Sequence, residues 1–238
     1  MELTFELPGS TGAGHLQTDI NQLIVAGWTG RDPKAILHHI SELEALGVPR
    51  PSATPLFYRV AANQLTQQEV IEVMGGATSG EVEPLVFSHQ GCLYVSLASD
   101  HTDRRLETHS IALSKQICAK PVARTAWPLH EVAGHWDQLI LRSWIREDGD
   151  LRLYQQGTLA SLRKPAELLE CYFSSQEMLA RGLPPSSGPI DGLAIVCGTV
   201  AAIGGIRPST EFRMALVDDV LGRTITHRYY CTELPVVA

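Results

Sequence analysis

The stretch SGEVEPLVFSHQGCLYVSLASDHTDRR, Ser79 to Arg105, decides how the rest of the chain is read. Two apolar runs, EVEPLVFS and CLYVSLAS, flank a turn at HQG. Their length and composition predict two strands joined as an antiparallel hairpin. Glu81 and Glu83 stand at its head and Asp100 at its far end. Residues i and i+2 of a strand face one side, about 7 Å apart at roughly 3.3 Å per residue. Counting outward from a turn centred on Gln90 brings residue 81 opposite about residue 99, within a residue or two. Three carboxylates then meet. Two readings stay open on spacing alone. These acids are charges that keep an edge strand from pairing, or they are oxygen ligands that converge on a hard divalent cation.

Outward from the hairpin, NQLIVAGW (Asn21–Trp28) reads as a buried strand. DPKAILHHISELEALG reads as a helix, with Asp32 as N-cap, Pro33 at the first position and Gly47 past the end. Its apolar stripe is Ile36, Ile40, Leu43 and Leu46. Three prolines make Val48–Pro55 an extended loop, and LFYRVA a short strand follows. The segment around Thr66–Val73 suits a strand or a short helix. LILRSWIREDGDLRLYQQG predicts a hairpin, KPAELLECYFSSQEML a helix, GLPPSSGP a loop, and GLAIVCGT a strand. EFRMALVDDVLGRTITHRYY reads as two strands about a DVLG turn. This order predicts an α+β fold with a mixed, mainly antiparallel β-sheet and a few peripheral helices. An N-terminal segment, 1–74, would append to a β-rich domain, 75–238, the two forming one unit.

Composition narrows the function. The chain has 238 residues, 44% of them hydrophobic, and a formal net charge of -7. That balance fills a core but offers no basic face for nucleic acid or an anionic membrane. A small anionic substrate needs only two or three local cations. The first residues, MELTFELPGSTGAGH, do not read as a signal peptide. Gly192–Ile206, fifteen uncharged residues with four glycines, is too short to span a bilayer. Five scattered cysteines without a CxxC read as reduced thiols of a cytoplasmic protein. HEVAGH, His130–His135, lacks the HExxH spacing of zinc sites.

Several further residues could carry chemistry. His39 and Glu42, three apart, share a helix face, so Glu42 could orient a basic imidazole; His38 with Glu42 is the rival pair. Arg59 lies in an apolar strand. Arg104 follows the acidic cluster and suits either an ion pair with it or a substrate carboxylate. GGIRPS, Gly204–Ser209, is a turn or a backbone contact to a ligand.

The hairpin and its flanks resemble the fumarylacetoacetate hydrolase superfamily. Glu81, Glu83, Asp100 and Arg104 match its E-x-E strand and the Asp with an Arg four residues on. His39 and Glu42 match its H-x-x-E helix, and Arg59 stands where the family carries Lys. LSKQICAKP is similar to the segment with the active-site lysine, here Lys115, and IVCGTVAAIGGI to the Gly-Thr loop, here Gly198 and Thr199. Three departures stand out: Val200 replaces a proline, the interval from Asp100 to Lys115 is short, and Arg59 replaces Lys. Collinear over about residues 23–230, the set resembles a bacterial branch of the superfamily. It implies a roll or barrel-like fold, a homodimer, and Mg2+, or Mn2+ or Ca2+, on Glu81, Glu83 and Asp100. His39, Glu42 and Lys115 would be catalytic, and Arg59, Arg104, Gly198 and Thr199 would bind substrate. The implied activity is hydrolysis of a small oxo-carboxylic acid, an acylpyruvate or β-diketo acid, through a stabilised enolate. Decarboxylation, tautomerisation, hydration, or plain binding on the same scaffold are its alternatives.

Overall fold

In the computed structural model, which describes residues 1–8, 14–45, 50–175 and 190–237, the expected hairpin forms. Strands Val82–His89 and Cys92–Ser99 pair antiparallel from Val82 opposite Ser99 to His89 opposite Cys92. Gln90 and Gly91 make the turn with φ of 50° and 74°. Two positive φ values mark the two-residue turn whose twist matches that of the strands. The observed register lies one residue from the expected one, because the turn is centred between Gln90 and Gly91. Asp100 therefore sits opposite Glu81, and its N–H donates to the Glu81 carbonyl at 3.0 Å.

The hairpin is central to a six-stranded sheet. Its order is Trp127–Pro128, Cys92–Ser99, Val82–His89, Leu193–Val196, Gln22–Gly27 and Leu56–Val60. Leu193–Val196 runs parallel to Gln22–Gly27 and antiparallel to Val82–His89. A second sheet of five strands has the order Asp150–Thr158, Ile140–Glu147, Glu211–Asp218, Arg223–Leu234 and Val70–Met74. The undecided segment near Thr66–Val73 is thus extended, in Leu65–Thr66 and Val70–Met74. Strands from the first 74 residues enter both sheets.

One core joins the two sheets, with Ile24, Val86, Val95 and Leu97 meeting Leu141, Ile145, Met214 and Ile225. The other face of the six-stranded sheet buries Leu23, Val25, Leu85 and Phe87 against Leu3, Phe5 and Leu16. Those last three belong to a hairpin, Glu2–Leu7 with Gly14–Asp19, that the sequence reading passed over. Its signal was the alternation Leu3, Phe5, Leu7. Cover on both faces explains why Val82–Ser88 is buried at every position, whereas Ile140–Ile145 is buried only at alternate residues.

The first helix spans Pro33–Ala45, capped by Asp32, whose Oδ1 accepts from the Lys34 N–H at 2.9 Å. Ile40 is buried and Ile36 half-buried. Leu46 and Gly47 lie outside the described residues, as do the side chain of Leu43 and the loop at 182–189. A second long helix, Pro165–Phe173, begins at its proline as expected. Among the described residues no helix is long and apolar enough to cross a membrane. All five cysteines are free, and Cys92, beside the hairpin turn, is exposed rather than in the core.

Candidate metal centre

The open end of the central hairpin gathers the acids. One oxygen each from Glu81, Glu83 and Asp100 falls within a set whose members all lie within 4.8 Å of one another. Glu81 is half-buried, and Glu83 and Asp100 are buried. Three carboxylates so close repel one another strongly. Burial, then Asp100 and Glu81, drive the Glu83 carboxyl well above its ordinary range, against the pull of Lys115 and the Gly198 amide. The donor set is all hard oxygen, short of cations on the Glu83 side. Those properties fit magnesium, manganese or calcium.

Asp100 is differently placed. Lys115 Nζ donates to its Oδ2, and Lys120 Nζ lies 3.1 Å from its Oδ1. Burial alone would raise this carboxyl, but the two ammonium groups outweigh it and hold it below the usual range. Burial likewise works against the charge on Lys115, yet Asp100 and Glu81 keep its pKa above the ordinary value. Lys115 ends a short helix, Ile111–Gln116, whose N-cap Ser110 accepts from the Leu113 N–H at 3.3 Å. Its ammonium lies 5.7 Å from the Tyr58 ring centroid.

Arg104 opens the helix Arg104–Glu107, where Asp103 Oδ1 accepts from the Arg105 and Leu106 N–H groups at 2.9 Å. Its Nε donates to Ser79 at 2.6 Å and its Nη1 to Glu107 at 2.9 Å. Nη2 lies 3.3 Å from Glu81 Oε2 but is not aligned as a hydrogen bond. Gly198 donates its N–H to Glu83 Oε2. It has φ of 97°, and a Cβ there would lie 1.8 Å from Thr29 Oγ1, so only glycine brings this amide to Glu83. Thr199 Oγ1 donates to the Val82 carbonyl at 2.6 Å and accepts from Gln155 Nε2 at 2.8 Å.

Glu81, Glu83, Asp100, Arg104, Lys115, Gly198 and Thr199 all line one cavity of about 1030 Å3. Seven residues expected at the site are therefore brought together. Arg59 is not. It follows cavity-lining Tyr58 in the same strand, so its side chain leaves the other face. Its Nη1 donates to Gln22 at 3.3 Å and to Tyr172 at 3.2 Å. His39 and Glu42 sit in the first helix, but their side chains lie outside the described residues. His135 of HEVAGH pairs with Asp218 Oδ1 at 2.9 Å and meets no metal-ligand set among the described residues.

Two neighbours of Asp100 were given no role from the sequence. Lys120 is fully buried and donates to the His101 carbonyl at 2.5 Å. Its sequence signal is a lone charge in the apolar run ICAKPVA, since a buried lysine must be paired. His101 is also fully buried, its Nδ1 3.0 Å from the Tyr229 hydroxyl and its Nε2 2.9 Å from Thr78 Oγ1. Burial and Lys120 push its pKa down to about 3, so it is a neutral wall behind the site.

Residues 26–229 match the family described as "Protein of unknown function (DUF2848)". The chain belongs to that family. No curated protein matches it. Among solved structures, it is similar to a 2-keto-3-deoxy-D-arabinonate dehydratase complexed with magnesium and 2,5-dioxopentanoate. Identity is 14% and TM-score 0.61, over 92% of this chain and 75% of that one. Cg1458 matches at 12% identity and TM-score 0.56, over 92% and 78%. The 4-oxalocrotonate decarboxylase of Pseudomonas putida G7, complexed with calcium and acetate, matches at 17% and 0.50, over 89% and 76%. At such identities the likeness is one of fold.

Proposed function

We propose that this member of the family is a divalent-metal-dependent enzyme acting on a small oxo-carboxylic acid, hydrolysing a carbon–carbon bond of an acylpyruvate or β-diketo acid. The observation that carries the reading is the crowded triad of Glu81, Glu83 and Asp100 on the wall of a large cavity, with cationic Lys115 and Arg104 beside it. A divalent ion held by the triad would supply Lewis-acid stabilisation of charge on the oxygens of a 2-oxo acid. Lys115 would face the same oxygens and neutralise negative charge as it develops there. Arg104, anchored by Ser79 and Glu107 with Nη2 beside Glu81, would contribute positive charge for a substrate carboxylate. His39, oriented by Glu42, would take a proton from water. Gly198 and Thr199 serve the substrate indirectly, through the placement of Glu83 and the loop.

Dehydration or decarboxylation is the second reading. It is favoured by structural neighbours that are a dehydratase and a decarboxylase. Both reactions begin from the same head group and differ in what leaves, so product analysis separates them. The first test is thermal unfolding with added Mg2+ or Mn2+. Ligand at 100 times its Kd stabilises by about 2.7 kcal/mol, which is roughly 5–10 °C for a chain of this size. Glu83→Gln is expected to abolish that rise. A wild-type protein indifferent to both metals ends the proposal. Acylpyruvate turnover is then compared between wild type and His39→Ala, where loss of a general base costs about a hundredfold or more. Equal rates would remove His39 from the reaction.

A further inference from the structure

Asp100 has two ammonium partners of unequal freedom. Lys115, on Oδ2, lines the cavity at the end of a six-residue helix. Lys120, on Oδ1, is fully buried, does not line the cavity, and is tied a second time to the His101 carbonyl. The carboxylate itself is only 1% exposed, so neither oxygen has water to fall back on. A buried carboxylate oxygen left bare costs far more than a poorly aligned one.

We propose that Lys120 is a positioning residue that permanently holds Asp100 Oδ1, so that Lys115 can give up Oδ2 when the acidic triad takes a divalent cation and can turn to the cavity. The inference rests on the metal site proposed above. Lys115 then gives way to the cation, and Lys120 fixes the plane of the Asp100 carboxylate with and without it. Without Lys120, Lys115 would have to serve both oxygens of Asp100 and would be a stronger competitor for the site. The two lysines carry the same charge and touch the same carboxylate, yet their removal has opposite consequences for metal binding.

Calorimetric Mg2+ titration of folded protein tests this on wild type, Lys115→Met, Lys120→Met and Lys120→Gln. Lys115→Met is expected to bind Mg2+ about tenfold more tightly, since one competing charge is gone. Lys120→Met is expected to bind about tenfold more weakly, with Lys120→Gln, which keeps a donor without charge, between it and wild type. If both methionine variants tighten binding, the lysines act only as charges and the proposal is wrong. If Lys120→Met lowers the melting temperature but leaves the Mg2+ affinity of the folded protein unchanged, Lys120 is merely structural and the proposal is equally wrong. A wild-type protein that binds no Mg2+ would instead overturn the proposed function. Acetic anhydride labelling of wild type, read by peptide mass spectrometry, covers the case of variants that do not fold. Mg2+ should speed modification of Lys115 several-fold and leave Lys120 unmodified. Lys115 labelling that is unchanged or slower with Mg2+ overturns the inference.

Discussion

Two buried acids, Asp218 and Glu83, sit in clusters of opposite character. Asp218 ends a strand of the five-stranded sheet and is inaccessible to solvent. Its Oδ1 accepts from His135 at 2.9 Å and from the Leu221 N–H at 3.1 Å, and its Oδ2 from Arg223 at 3.2 Å. Arg223 in turn lies over the Trp127 ring at 4.4 Å and reaches Glu131 at 2.5 Å. Burial would raise the Asp218 carboxyl, but these donors outweigh it and lower its pKa. Glu83, at the open end of the six-stranded sheet, has one backbone donor and two acids as neighbours, and its carboxyl is driven the other way. One cluster is complete as folded. The other places its cations on Asp100 and Glu81 and gives Glu83 no ion-pair partner among the described residues, beside a cavity, which is how a binding site differs from a structural ion pair.

Asp218→Ala is the strongest way to break this contrast. It takes the buried acceptor from His135, the Leu221 N–H and Arg223, which keeps only Glu131, and should cost about 3–5 kcal/mol. Over a chain of this length that is roughly 6–20 °C in thermal melting. Glu83→Gln should change metal-free stability by no more than about 1 kcal/mol, because the amide keeps an acceptor for Gly198 while one crowded charge disappears. Parallel melts of the two variants decide the matter. An equal fall in both would mean that Glu83 is as structural as Asp218.

How much of this was readable beforehand depended on local pattern. The Val82–Ser99 hairpin is sequence-local, so its turn and its apolar runs placed Glu81 opposite Asp100 to within one residue. Lys120 was legible only as a misplaced charge, because the Asp100 and His101 atoms that pair it are some twenty residues away. Arg59 shows a different limit. Strand neighbours face opposite ways, and LFYRV gives no polar alternation to say whether Tyr58 or Arg59 looks inward. The Asp218 cluster was not legible at all, since His135, Arg223 and Asp218 meet only through the second sheet and the 3-10 turn at Ala133–Gln138.

Acid titration sharpens the same comparison with a smaller effect. The folded value of Asp218 is depressed, so its stabilisation is present above the unfolded carboxylate range, near pH 4. It is lost as pH falls through the folded value. Urea unfolding of wild type should therefore lose an increment as pH falls below about 4 that Asp218→Asn does not lose, about 1.4 kcal/mol per unit of depression. Identical acid limbs for the two proteins would show that Asp218 is not held in its charged form by the fold.

The smallest effect is expected where a cluster with the best geometry is also the most exposed. Arg31, on the cavity wall, makes a two-pronged pair with Asp137 at 3.0 and 2.9 Å. The side chains are 35% and 40% exposed. The Asp137 hydrogen bonds raise the Arg31 pKa, and Arg31 lowers that of Asp137, yet water screens both. Arg31 also donates to the Leu162 carbonyl at 2.7 Å, so its side chain stays anchored when Asp137 is removed. Asp137→Asn should consequently cost less than about 1 kcal/mol, and the difference should shrink further in high salt. Denaturant unfolding at low and high ionic strength measures it. A loss as large as that of Asp218→Ala would show that pairing geometry, rather than burial, sets the strength of these clusters, and the contrast between Asp218 and Glu83 would then need another cause.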